Sequence, residues 1–285
     1  MSSKLISCIR HDLQEGIKKN CKIYLVFMIY LLVENMNYTR QLAVLRRNTP
    51  ELELPGVMDY IIHYFQGSLP YSMMKHMEAF KIPVEWFCIM IFFSLMIFRY
   101  PKEDYKNCGY QYITRSGNKI FWWLSKCIWC VCCVLLGIAG MWAVSGVTAL
   151  CFGEMRLTPG SILNRKANDI IFAGSIGWKK ITAYCIMAII VLLFFALLQL
   201  VVTFLINDIG ALIVNISIIA ASAYYLSPLL PGNYLMLKRC TCIYGNGGVS
   251  MGQGIMIYSA GCLVLAVIGY ICFRQKLTKF LIIFS

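Results

Sequence analysis

Few side chains in this 285-residue sequence combine the residue type and the spacing that metal binding requires. Cys127 and Cys130 have the two-residue separation of a zinc ligand pair, but no paired histidines accompany them. His63 and His76 lack the i, i+4 spacing that places two ligands on one helical face, so we expect both to be ordinary surface residues. The sequence therefore predicts no metal site, and most cysteines are expected to act as small hydrophobic residues.

Motifs for nucleotide hydrolysis and zinc-dependent hydrolysis are missing from the sequence. Neither the phosphate loop G-x-x-x-x-G-K-[ST] nor the metal-binding helix H-E-x-x-H occurs. Two acids, Glu34 and Glu85, fall near the ends of apolar segments. A proton relay at these acids is one interpretation, but placement at a wet membrane interface is the simpler one. The chain is accordingly predicted not to be an enzyme and to bind no cofactor directly.

The elements that carry these residues are long apolar segments. Hydrophobic residues make up 59% of the sequence and charged residues 14%, against about 25% charged residues in ordinary globular domains. A helix needs roughly 20 mostly apolar residues to cross a bilayer core of about 30 Å. The sequence predicts an all-α integral membrane protein, a single transmembrane domain over 1–285. Its six predicted transmembrane helices lie at 23–33, 84–98, 121–152, 181–206, 209–230 and 255–273.

The orientation of the chain follows from its basic residues. A slight majority of the 26 Lys and Arg residues, and the higher density of them, falls on the side of the N terminus. Because Lys and Arg favour cytoplasmic loops, both termini are predicted to be cytoplasmic in a bacterial cell (plasma) membrane. The net charge of +13 is explained by contact with anionic lipid headgroups in preference to nucleic acid. No cleavage pattern follows the first apolar segment, so no removable signal peptide is expected.

Polar segments flank or connect these predicted spans. Residues 1–20 carry apolar side chains on one helical face, which favours an interfacial helix over a loose tail. An outer loop is predicted at 37–82, with a short helix at 59–65. The inner loop at 99–120 mixes basic and aromatic residues, which fits either an aromatic belt or a helix offered to a cytoplasmic partner. Prolines and glycines break an outer segment at 231–250.

Several runs of the sequence resemble permease subunits of bacterial ABC-2-type ABC transporters, particularly those of Gram-positive bacteria. These runs are Phe80-Lys-Ile-Pro-Val-Glu-Trp, Arg99-Tyr-Pro-Lys-Glu-Asp, the stretch from Tyr112 to Lys126, and Pro231-Gly-Asn-Tyr-Leu-Met-Leu-Lys-Arg. The resemblance covers nearly the whole chain in the order of its elements. The first outer loop is longer than in the simplest members of the family.

The resemblance implies a role for each polar segment. The N-terminal helix would be the interfacial elbow, and 231–250 would be a re-entrant outer segment. The loop at 99–120 would couple to a separate cytoplasmic ABC ATPase subunit that supplies ATP and Mg, through Tyr112, Arg115, Lys119 and Trp122. A second permease subunit, identical or similar, would complete the pathway.

The expected function is then export of a lipid, peptide or other amphipathic compound. An alternative is a membrane sensor or immunity protein that binds its ligand through the outer loop without transport. A membrane-embedded enzyme fits less well, because we identify no paired catalytic groups at membrane depth.

Overall fold

The computed structural model describes residues 2–71, 82–109, 113, 119–170, 177–241 and 247–283. Of these residues 82% are helical, and no strand occurs among them. The predicted all-α fold class is therefore confirmed for the part of the chain that the structure describes.

Nine α-helices are found among the described residues. They are α1 (Ser2–Asn48), α2 (Val57–Phe65), α3 (Val84–Ile97), α4 (Tyr100–Asp104), α5 (Lys119–Phe152), α6 (Ser161–Ala167), α7 (Trp178–Leu205), α8 (Asp208–Tyr224) and α9 (Met251–Ile283). A π-helical turn at Tyr105–Gly109 continues α4, and two 3-10 turns at Pro231–Leu235 and Leu237–Arg239 follow α8. The predicted short helix at 59–65 is confirmed as α2, which begins two residues earlier.

Four helical stretches are long and apolar enough to cross a membrane. They are Val84–Asn107, which runs from α3 through α4 into the π-helical turn, Lys119–Phe152, Trp178–Leu205 and Met251–Gln275. The two other predicted spans are not both long enough and apolar enough to cross a membrane. The apolar stretch of α1 at 23–33 is short and lies between Lys22 and Glu34. Helix α8 has 17 residues, because the chain leaves the helix at Tyr225 and Pro228 follows. The described part of the chain is thus all-helical and contains four candidate membrane-spanning helices.

Helix α1 is one uninterrupted helix, which corrects two predicted boundaries. The interfacial helix at 1–20 is not a separate element, and the outer loop begins after Asn48 instead of at 37. The reason is a buried stripe with helical spacing that runs past the predicted end of the span; it comprises Phe27, Leu31, Asn35, Tyr38 and Leu42. No proline precedes Pro50 to stop the helix.

The long helices run between two polar ends. At one end, here called the Lys126 end, α1, α4, α5, α8 and α9 meet: Lys126 bonds Asp12 and Asp104, Lys102 pairs with Asp208, and Trp122 stacks on Phe273. At the opposite end, called the Asp59 end, α2 and α6 pack beside the C-terminal part of α1 and the end of α5.

The separation of these two ends matches a bilayer. Lys126 lies near the start of α5, and Thr148, which bonds Asn35 of α1, lies near its end. The 22 residues between them correspond to about 33 Å of helix. A hydrocarbon core is about 30 Å thick. Large apolar side chains remain exposed between the two ends, as on α9 at Leu263 and Val267, and a lipid-facing surface requires this.

Candidate functional site

A buried lysine organises the Lys126 end. Lys126 of α5 is 0% exposed, and its ammonium donates to carboxylates of Asp12 on α1 and Asp104 on α4, at 2.6 Å in the second case. Both acids are buried. A charge removed from water is costly unless it is paired and hydrogen-bonded, so these three residues depend on one another. The arrangement fixes the start of α5 against the two segments that precede it in the chain.

Further polar contacts complete this cluster. Tyr100 and Ser125 donate hydroxyl hydrogen bonds to Asp12 at 3.0 and 2.7 Å, and the His11 ring lies 3.1 Å from Asp104. The Lys126 ammonium also lies 4.9 Å from the centre of the Tyr100 ring, a cation–π distance. Every carboxylate oxygen of the two acids therefore has a donor within hydrogen-bond distance. The cluster thus joins α1, α4 and α5 through paired charges.

The sequence pattern alone does not reveal this cluster. Asp12 lies off the apolar face of the N-terminal helix, but it is buried because it meets Lys126. Lys126 is a lone charge near the start of an apolar segment. A single lysine inside an apolar segment signals a buried partner. The sequence does not identify which acid fills that role.

The four residues assigned to ATPase coupling have different positions. Tyr112 and Arg115 lie outside the described residues. Lys119 is the first residue of α5 and is partly exposed. Trp122 is 2% exposed, and its ring stacks on Phe273 with centroids 4.8 Å apart. A direct docking contact does not fit so buried a ring; Trp122 instead holds the start of α5 against α9.

At the Asp59 end, an aspartate accepts hydrogen bonds from several segments. Asp59 is fully buried and accepts from the backbone N–H groups of Gly56 and Gly160 and from the Asn164 side chain, at 2.5–2.9 Å. Arg156 lies 3.4 Å from it. Burial raises the pKa of Asp59, and these donors oppose that rise. The predicted outer loop is thereby folded onto the chain that follows α5.

A second network extends from this end toward the helix core and contains His63. The ring is 4% exposed and stacks on Tyr38 with centroids 4.0 Å apart. Its Nδ1 lies 3.3 Å from Oδ1 of Asn168, while Nε2 has no hydrogen-bond partner among the described residues. The prediction that His63 is a surface residue is therefore wrong. His76 lies outside the described residues.

Arg239 forms a third buried charge, in the broken segment after α8. It is 1% exposed and donates to the carbonyls of Ser222 and Ala223 at 2.5 Å, to the carbonyl of Ser68 at 2.8 Å, and to the Asn233 side chain. Burial lowers the pKa of Arg239 to about 10. The guanidinium thus satisfies the last carbonyls of α8, where the helix dipole is negative.

Polar side chains also meet between the spans. Gln199 of α7 donates to the Ser94 carbonyl at 2.9 Å and accepts from Asn215 of α8 at 2.8 Å. The adjoining cavity is about 10 Å³, enough for about one water. This cavity is too small for an amphipathic substrate.

One sequence match to a catalytic turn lacks its structural context. Residues 248–252 read Gly-Val-Ser-Met-Gly, the G-x-S-x-G pattern of a nucleophile elbow between a strand and a helix. Within the described part of the chain, no strand precedes Ser250, and its hydroxyl bonds no histidine or carboxylate. The structure provides no nucleophile–base pair here.

Comparison of the chain with models of known families, with curated proteins and with solved structures finds no match. What the chain itself establishes is an all-helical protein with apolar, membrane-length helices and two buried polar ends.

Proposed function

We propose that this chain is the permease subunit of an ABC transporter of the ABC-2 type, driven by ATP hydrolysis in a separate subunit. The observation that carries the proposal is the Lys126 cluster. It joins α1, α4 and α5, and so ties the first residues of the basic inner loop and the helix that follows the loop to α1. A loop that transmits force needs both of its anchors fixed to the helices that are to move.

In this mechanism the ATPase subunit docks on the inner loop, with Arg115 and Lys119 contacting acidic side chains of the partner. Arginine suits that role because its planar guanidinium can bind a carboxylate through two hydrogen bonds. Closure of the ATPase dimer then pushes the loop. Because Lys126 ties the loop anchors to α1, the displacement tilts these helices together as a rigid body.

The pathway would form between two permease subunits. The cavity of about 10 Å³ beside Gln199 is too small for an amphipathic compound. A second copy or a similar subunit would enclose the path at an apolar helix face, with α1 and α8 completing six spans. Lipids, peptides and other amphipathic compounds are the substrate classes that suit such walls, and export is the proposed direction.

The experiment is purification of the tagged chain from its native membrane in mild detergent, followed by an ATPase assay of the co-purifying proteins. The proposal expects a stoichiometric ATPase whose recovery falls at least tenfold in the Arg115→Glu/Lys119→Glu variant. The matched control is Arg165→Glu/Lys166→Glu, a charge reversal at exposed positions of α6 at the Asp59 end. It should leave ATPase recovery unchanged. A folded, monodisperse chain that brings down no ATPase would refute the permease function.

A sensor or immunity protein is the second candidate, and a cleft at the Asp59 end favours it. The cleft has a volume of about 430 Å³ and is lined by Arg46, Arg47, Glu53 and Phe152 among others. Such a site could bind an amphipathic ligand without transport. Retained ligand binding in a chain with no ATPase partner would support this function in place of the first.

A further inference from the structure

Three potential metal ligands from three different helices converge near the Asp59 end. They are Glu34 of α1, His63 of α2 and Glu85 of α3, and one ligand atom of each lies within 4.8 Å of the others. Nε2 of His63 and Oε1 of Glu34 lie 3.6 Å apart. This separation is too long for a hydrogen bond but close to the roughly 3.4 Å expected for two ligands about 2.1 Å from a tetrahedral ion.

The histidine is held in the orientation of a metal ligand. Asn168 donates from its amide nitrogen to Tyr38 and Asn164 at 2.9 and 2.8 Å, which directs its oxygen at Nδ1 of His63. In the tautomer whose Nδ1–H donates to that oxygen, Nε2 carries the lone pair; the Gln66 amide nitrogen also lies 3.4 Å from Nδ1. Ligating histidines in proteins characteristically hold their second nitrogen in this way. Nε2 is buried and unpartnered, and it faces Glu34.

The charges of the cluster leave a place for a cation. Within the described part of the chain, neither Glu34 nor Glu85 forms an ion pair with a lysine or arginine. Lys238 interacts electrostatically with Glu85, but no ion pair within 4.0 Å joins the two. Two carboxylates in one half-buried site repel each other unless a positive charge lies between them.

A comparable group of one histidine and two acids at the Lys126 end has a lysine as its cation. His11, Asp12 and Asp104 also bring their ligand atoms together, but there the Lys126 ammonium occupies the position between the acids. The chain therefore supplies its own cation to one group of a histidine and two acids. Within the described ranges, no lysine or arginine lies within ion-pair distance of the acids of the other group.

We propose that Glu34, His63 and Glu85 bind a divalent transition-metal ion, Zn²⁺ or Mn²⁺. One imidazole nitrogen and two carboxylates suit these ions, and the two carboxylates balance the charge of a divalent ion. Glu34 and Glu85 are partly exposed, which allows an ion and a water ligand to enter. Because the ligands come from α1, α2 and α3, the ion clamps these helices at the Asp59 end. The site is independent of the permease function.

Metal binding is tested on the full-length chain in detergent after removal of metals with a chelator. Isothermal titration with ZnCl₂ and MnCl₂ should give one ion per chain for at least one metal, with a raised thermal unfolding temperature. Glu34→Gln, Glu85→Gln and His63→Gln should each weaken affinity at least tenfold. Glu154→Gln, at an exposed acid of the same end, should not change it.

A measurement on the unaltered protein removes any dependence on the folding of variants. With Mn²⁺ bound, pulsed electron paramagnetic resonance should detect coupling of the ion to one histidine nitrogen. With Co²⁺ bound in place of Mn²⁺, the visible absorption spectrum should be that of an ion with a low coordination number. Absence of stoichiometric binding by either Zn²⁺ or Mn²⁺ would leave only a His63–Glu34 ion pair and would overturn the proposal. Equal affinity of wild type and the His63→Gln variant would overturn it as well.

Discussion

At the scale of single residues, three buried charges are stabilised in three chemically different ways. Lys126 is neutralised by carboxylates, Asp59 accepts from N–H groups and Arg156, and Arg239 donates to carbonyls at the end of α8. Each charge joins segments that are distant in sequence. Their removal should therefore affect tertiary packing more than the stability of any one helix.

Replacement of Lys126 by methionine should destabilise the protein by about 3–5 kcal/mol, because Asp12 and Asp104 would remain buried without their cation. The measurement is the thermal unfolding of detergent-solubilised protein. A triple variant, Lys126→Met with Asp12→Asn and Asp104→Asn, removes both charges and the cation together. It should recover most of the lost stability. If the triple variant is as unstable as Lys126→Met, unpaired charge is not the cause.

The sequence predicts the environment of a single residue only where its partner lies nearby in the chain. That Lys126 lies in an apolar segment is visible from the sequence, but its partners Asp12 and Asp104 are 114 and 22 positions away. His63 was misplaced because i, i+4 spacing detects only ligands on one helix. Its neighbours Glu34 and Glu85 come from two other helices.

At the scale of elements, apolar blocks were located well and helix ends poorly. The cores of α3, α5, α7 and α9 follow directly from uninterrupted apolar runs. The length of α1 does not follow from such a run, because beyond residue 37 its buried face is a narrow stripe among charged residues. The stripe is stabilised by α5, along which α1 packs, and such tertiary support outweighs local polarity.

The close packing of α1 on α5 depends on Gly16. A Cβ at this position would lie 2.3 Å from Nε1 of Trp129, whose buried ring packs on Tyr100. Gly16→Ala should therefore destabilise the protein by about 1–3 kcal/mol, the usual cost of overpacking. Gly146→Ala on α5 is the matched control, because a Cβ there meets nothing within 4 Å. Alanine's higher helix propensity should make that control neutral or stabilising by up to about 1 kcal/mol in thermal unfolding.

At the scale of the whole molecule, successive long helices alternate in direction between the two polar ends. Helices α1 and α5 both run from the Lys126 end to the Asp59 end, from Asp12 to Asn35 and from Lys126 to Thr148. Helix α9 runs in the opposite direction and places Phe273 on Trp122 at the Lys126 end. The sequence predicted six spans from its apolar blocks, and four of them are candidate membrane-spanning helices in the structure. It predicted the short helix of the outer loop but not the burial of that helix, since burial depends on contacts of Asp59 with Gly160 and Asn164 about 100 positions later.

The Lys126 end is expected to face the cytoplasm, because basic residues are denser there and Lys and Arg favour that side. Exposed positions at the two ends, Gln14 and Thr158, allow a direct test. In a cysteine-free background, Thr158→Cys should react with a membrane-impermeant maleimide in intact cells. Gln14→Cys should react only after the membrane is opened. The reverse pattern would place the inner loop outside the cell, where no ATPase could reach it, and would rule out the proposed coupling. Labelling of both positions in intact cells would place both ends outside and show that the chain crosses the membrane an even number of times between them.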